Sequence, residues 1–197
     1  KKTKTSPMGA IDNPLHPLSI AIGCEATFVA RSIDTHIKHL EMVLRRAAEH
    51  RGTAFVEVYQ NCNVFNDGAW QYATDRQTKA ENTIELEHGA PLVFGTDRNK
   101  GIRLNGLEPQ VVELGAGKVA EAELLVHDER AAEPSLAYLL SRLRHEEGYP
   151  EPIGVFRAVD APRYEEELGD QVAAARKERG SGDLNTLFTS GETWTVP

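Results

Sequence analysis

The alternation of apolar and polar positions is clearest between residues 26 and 59. Ala26-Thr27-Phe28-Val29-Ala30 is a short, nearly unbroken apolar run that reads as a buried strand. Asp34 or Thr35 then stands in position to cap a helix. Ile37, Leu40, Val43, Leu44, Ala47 and Ala48 recur on one face of that helix, and Gly52 closes it. Thr53 to Tyr59 returns to β-branched and aromatic residues, so a second strand follows. Strand, amphipathic helix and strand make a βαβ unit and predict an α/β fold with a parallel sheet. Ligands of such sheets gather beyond the carboxyl ends of the strands. Upstream, Leu15 to Ile22 is a short apolar segment that suits a buried helix or a strand equally.

Further along, Pro134 suits the first turn of a helix that presents Leu136, Leu139, Leu140 and Leu143 and stops at Gly148. Pro162 starts another. Its Glu165, Glu166 and Glu167 lie near the positive end of the helix dipole, and Arg176, Lys177 and Arg179 near the negative end. The tail after Gly180, rich in Gly, Ser and Thr and carrying Trp194, is expected to lie against another surface.

Composition narrows the function classes. The 197 residues, 40% hydrophobic and 26% charged, suit one sizeable globular domain or a domain with an attachment. A net charge of −8 argues against electrostatic binding to nucleic acid or to an anionic membrane. Two cysteines are too few for a disulfide framework. The basic start at Lys1, Lys2 and Lys4 leads into no apolar signal region, and no run approaches the roughly 20 apolar residues that span a bilayer. A cytoplasmic, reducing location is therefore expected. Residues 1–98 hold 11 basic and 12 acidic side chains, whereas residues 99–197 hold 11 and 18, so the acidity is C-terminal. That shift, with turn clusters such as Gly89-Ala90-Pro91 and Gly115-Ala116-Gly117, puts an expected boundary near residue 90.

The segment after the second strand, Gln60-Asn61-Cys62-Asn63-Val64-Phe65-Asn66-Asp67-Gly68, is a polar loop with one thiol where an α/β fold places its chemistry. On local sequence alone, Cys62 reads either as a small buried side chain or as a ligand. Cys24, in an apolar segment, reads as core. His36, His39 and Glu41 share a helix at a spacing that permits metal ligation, with a solvated or satisfied pair as the alternative. His127-Asp128-Glu129 suggests acid–base work or the end of a strand. Lys100 and Arg103 lie near a Gly-bearing turn, where they suit a ligand phosphate, a partner carboxylate or an ordinary charged hairpin.

Several segments carry a family resemblance in one order along nearly the whole chain. They include Thr5-Ser6-Pro7-Met8-Gly9, Gly23-Cys24-Glu25-Ala26-Thr27-Phe28-Val29-Ala30-Arg31 and Phe55 through Gly68. Asn99-Lys100-Gly101-Ile102-Arg103-Leu104 and Gly154-Val155-Phe156-Arg157-Ala158-Val159 continue the match. Together they resemble the later part of the thiamine-diphosphate-binding β subunit of 2-oxoacid:ferredoxin oxidoreductases, most closely the 2-oxoglutarate enzyme. The resemblance implies residues 1–90 as the C-terminal part of a thiamine diphosphate-binding domain and residues 91–197 as a C-terminal α+β extension. It implies thiamine diphosphate, Mg2+ and one 4Fe-4S cluster as cofactors, with Cys62 matching the fourth cluster cysteine. An α subunit in an α2β2 assembly and ferredoxin are the implied partners. Oxidative decarboxylation of 2-oxoglutarate with coenzyme A to succinyl-CoA is the implied reaction.

The chain departs from that family at informative places. The Gly-Asp-Gly segment and the following Asn-bearing segment that hold thiamine diphosphate and Mg2+ are absent, as are three cluster cysteines. A cubane cluster ordinarily takes four thiolates. With a first residue other than Met, these absences lead to the expectation of a C-terminal portion of a longer subunit. Two alternatives stand beside this reading. One is the same reaction on pyruvate or another 2-oxoacid, and the other is a noncatalytic α/β assembly module.

Overall fold

The computed structural model describes every residue except 1, 3–5, 12, 195 and 197. Part of the basic start, Asp12 and the Thr5 that heads the first family-like segment thus lie outside the described residues. By internal packing the chain divides into residues 1–160 and residues 161–197.

In the first unit, α1 (Pro17–Gly23), β1 (Phe28–Ile33), α2 (Ile37–Glu49) and β2 (Ala54–Tyr59) follow one another. The ambiguous segment near Leu15 is thus a helix, entered through Pro17, whose fixed φ suits a first turn. Two short helices, α3 (Gln71–Thr74) and α4 (Lys79–Asn82), precede β3 (Thr83–Leu86). Then come β4 (Val93–Phe94), β5 (Lys100–Asn105), β6 (Glu108–Glu113), α5 (Ser135–Ser141) and β7 (Glu151–Ala158).

The main sheet has the order β2-β1-β7-β3. The expected βαβ unit is present, with β1 parallel to β2 from Phe28 opposite Ala54 to Ile33 opposite Tyr59. The sheet as a whole is mixed, because β7 runs antiparallel to β1 and parallel to β3. An apolar run carries no mark of its direction, which only its partners settle. Strands β4, β5 and β6 form a separate antiparallel sheet.

Side-chain alternation along β1 divides the core. Phe28 and Ala30 pack with Val43 of α2 and Val155 of β7. Val29 joins Leu18 and Ile22 of α1, Leu140 of α5 and Phe156 of β7, and this cluster extends through Phe94 and Ile102 of the small sheet. Helices therefore cover both faces of the central strands, which explains why β1 is buried along its whole length.

Two helix boundaries differ from the expected ones. Neither Asp34 nor Thr35 caps α2; His36 precedes it without a capping hydrogen bond, and α2 ends at Glu49. Gly52 is required just beyond, for its φ is +128° and a Cβ there would lie 2.2 Å from Thr27 Oγ1. Helix α5 stops at Ser141 rather than Gly148, which instead closes a 3-10 turn at His145–Glu147 with φ 86°. Leu140 and Leu143 are buried, while Leu136 and Leu139 pack at the edge of the same core.

The second unit holds α6 (Tyr164–Arg179) and α7 (Leu184–Thr189). α6 has the expected acidic first turn and basic last turn, and neither helix has a buried residue. In the tail, Asp183 caps α7 by accepting the Thr186 N–H at 2.8 Å, and Trp194 is exposed. No helix among the described residues is long and apolar enough to cross a membrane.

Candidate functional site

The loop after β2 starts where the parallel pair β1/β2 ends, at Tyr59. Cys62 lies in it with an exposed thiol. A tight turn follows, in which the Asn66 N–H donates to the Cys62 carbonyl at 2.9 Å. The backbone amides of Phe65, Val64 and Asn66 lie on this turn near the sulfur and lower the thiol pKa, with Phe65 contributing most. Desolvation, and more weakly the Asp67 charge, act against them without reversing the direction. Asn61 closes the loop: its Nδ2 donates to Asn63 Oδ1 at 2.7 Å and Asp67 Oδ1 at 2.9 Å, and its Oδ1 accepts the Gly68 N–H at 2.9 Å. Val64 and Phe65 expose apolar side chains on the same loop. Chemically this is an accessible, thiolate-favouring sulfur within a nest of N–H donors.

Next to this loop is a cleft of about 280 Å3, whose lining includes Arg31, Glu57, Tyr59, Trp70, Tyr72 and Glu151. Arg31 is buried in β1. Its Nε donates to Glu57 Oε2 at 2.8 Å, and its Nη1 pairs with Glu151 Oε1 and reaches the Pro152 carbonyl at 3.3 Å. Burial works against the guanidinium charge, yet Tyr59, Glu151 and Glu57 outweigh it and raise the Arg31 pKa. Glu151 also accepts Tyr59 Oη at 2.7 Å and Tyr72 Oη at 3.2 Å. Burial first, with the neighbouring carboxylates, holds both phenols above the ordinary tyrosine range, so they remain donors. Trp70 stacks on Tyr59 with ring centroids 3.7 Å apart, and Tyr72 stacks on His145 at 4.0 Å. His16, also on the cleft, has its pKa lowered by burial first and then by Arg142, Arg144 and Arg31, with Glu57 opposing them.

Sequence reasoning missed this cluster. The available signal was Arg31, the one charge in a strand that is otherwise uncharged, with Glu57 opposite it in the parallel register. A charge in such a strand requires a buried partner.

Most of the remaining sequence candidates have structural partners. Cys24 is exposed at the end of α1, which corrects the core reading: the apolar segment ends before it and turns the chain outward. His39 is buried with Nδ1 2.7 Å from Ser32 Oγ, whereas His36 faces Glu85 at 3.8 Å and Glu41 pairs with Arg45. No group of three or more metal-binding side chains occurs among the described residues. His127 is buried and donates Nε2–H to the Val155 carbonyl at 2.8 Å. Glu129 forms a two-point pair with Arg46, and Asp128 accepts the Arg130 amide. Lys100 pairs with Glu81 at 2.8 Å; together with the Thr96 donors it brings the Glu81 pKa down to about 2. Arg103 lies 3.7 Å from Glu123.

No protein-family model matches the chain. Individual relatives do. It is 39% identical to the 2-oxoglutarate oxidoreductase subunit KorB of Mycobacterium tuberculosis over 198 residues, covering 100% of this chain and 52% of that subunit. It is 38% identical to the 2-oxoacid:ferredoxin oxidoreductase subunit beta of Saccharolobus solfataricus over 66 residues, 34% of this chain and 22% of that one. In fold it is similar to the 2-oxoglutarate:ferredoxin oxidoreductase from Magnetococcus marinus, solved with 2-oxoglutarate, coenzyme A and succinyl-CoA bound. There the TM-score is 0.59 at 19% identity, covering 98% of this chain and 50% of the other. The chain thus spans about half the length of the relatives it matches from end to end. On that whole-length identity, this chain belongs to the β subunits of the 2-oxoacid:ferredoxin oxidoreductase family.

Proposed function

We propose that this chain serves in a cytoplasmic 2-oxoglutarate:ferredoxin oxidoreductase, in which 2-oxoglutarate and coenzyme A give succinyl-CoA and CO2 while ferredoxin takes up two electrons. The observation that carries this reading is the end-to-end identity with a subunit named for 2-oxoglutarate. Residues 1–90 would form the last part of the thiamine diphosphate-binding domain and residues 91–197 its extension, working with an α subunit in an α2β2 assembly. When bound, thiamine diphosphate with Mg2+ would stabilise the carbanion left by decarboxylation, and a 4Fe-4S cluster would pass its electrons singly to ferredoxin.

The residues present suit one ligand position of such a cluster. A cluster ligand must be an accessible thiolate, and N–H donors to its sulfur tune the iron. Cys62 is exposed and receives such donors from Phe65, Val64 and Asn66. Cys62 would hold one iron, Asn61 would keep the turn closed, and Val64 and Phe65 would shield the site from water. The chain has two cysteines in all, so further thiolates must come from outside these 197 residues.

The reading is tested by assaying the complete complex for coenzyme-A-dependent reduction of a viologen dye with several 2-oxoacids. 2-Oxoglutarate is expected to be turned over at least about tenfold more efficiently than pyruvate, a discrimination of ~1.4 kcal/mol. Preference for pyruvate overturns the substrate assignment, and no coenzyme-A-dependent reduction with any 2-oxoacid overturns the activity.

A further inference from the structure

Both ends of the Cys62 loop are fastened to a single buried carboxylate. Tyr59, the last residue of β2 before the loop, donates its hydroxyl to Glu151 Oε1. Tyr72, in the short helix that follows the loop, donates to Glu151 Oε2. Trp70 ends the loop by stacking on Tyr59, and Ala73 packs with Ile33, Tyr59 and Ile153 in one small core cluster. Glu151 itself starts β7, about 90 residues from the loop in sequence, where Arg31 of β1 neutralises it. A buried carboxylate with a paired guanidinium and two phenol donors is geometrically well determined.

We propose that Glu151 is a positioning residue, clamping the two stems of the loop so that Cys62 and its amide donors keep a fixed geometry toward an iron–sulfur cluster. This rests on the reading of Cys62 as a cluster ligand. Hydrogen bonds to a ligating sulfur stabilise the more negative, reduced cluster, so a loosened loop moves its potential downward.

The test uses Tyr72→Phe, which removes one clamp bond and retains the ring, together with Glu151→Gln. In the full chain, amide hydrogen exchange at residues 61–68 is expected to quicken by about tenfold in Tyr72→Phe while α2 is unchanged, and by more in Glu151→Gln. In the complete complex both variants are expected to give a cluster with a more negative midpoint potential. Unchanged loop exchange, or exchange that rises equally in α2, overturns the clamp. A loosened loop with an unmoved potential overturns its role toward the cluster. Cys62→Ser separates the two layers, because an intact reduced-cluster EPR signal in that variant sinks the ligand reading whatever the loop exchange shows.

Discussion

At the residue scale the two cysteines are distinguished by their surroundings, since both are exposed. Cys62 sits in a turn whose N–H donors favour its thiolate, whereas Cys24 stands at the end of α1. Replacing Cys62 by Ser keeps the size but exchanges a soft thiolate for a poor iron ligand. In the complete complex that variant is expected to lose most of the reduced-cluster EPR signal and to show ferredoxin reduction lowered by at least about a hundredfold. Cys24→Ser is expected to change unfolding free energy by less than about 0.5 kcal/mol in denaturant titration, since an exposed sulfur leaves no cavity behind. The two outcomes exchanged would mean that the ligand has been assigned to the wrong thiol.

At the element scale β7 is the strand that binds the main sheet together, lying between β1 and β3. Gly154 is its weak link to substitution. Its φ is +118°, and a Cβ there would come within 3.0 Å of the Leu86 carbonyl on the neighbouring strand. Gly154→Ala should therefore cost about 2 kcal/mol or more, through backbone strain and displacement of β3. Denaturant unfolding measures this, and a loss below about 0.5 kcal/mol would contradict it. The helices and loops around the sheet add a pH dependence. Burial lowers the pKa of His39 on α2, of His50 just after it and of His127, each below the ordinary 6.5. Around His127, burial outweighs the hydrogen bond to the Val155 carbonyl and the charges of Glu129 and Asp128, which favour the charged form, while His88 works with burial. The fold favours the neutral form of these groups, so their contribution is fully present above pH 6.5. It falls as pH drops below 6.5, where the unfolded chain takes up protons that the folded chain does not. A melting temperature that declines from pH 7 to pH 5 is the expected result, and a flat profile would count against it.

At the scale of the whole molecule the core lies within residues 1–160, and its central sheet is closed by a strand from residues 151–158. A chain ended at residue 90 keeps the parallel β1/β2 pair but exposes the edge of β1 that β7 covers. It also loses Glu151 from the buried Arg31. Residues 1–90 alone are expected to show no cooperative thermal transition by circular dichroism, whereas residues 1–160 are expected to melt cooperatively. A sharp transition in the short chain would show that the βαβ unit is self-sufficient.

Much of the architecture was legible in the order of residues, for a local reason. Helix α2, strands β1 and β2 and their parallel pairing follow from hydrophobic period, and the charge-matched ends of α6 follow from its dipole. The Cys62 loop followed from its place after a strand and from family resemblance. Direction and partnership were not legible, because the apolar run of β7 reads alike in either direction and Glu151 is an ordinary acidic residue in the sequence. Only the tertiary structure brought Glu151 to Arg31, Tyr59 and Tyr72, turned Cys24 outward and buried His127. Local pattern determines which segments are strands and helices; the need to pair a charge removed from water is met by residues remote in the chain, and only folding decides which ones.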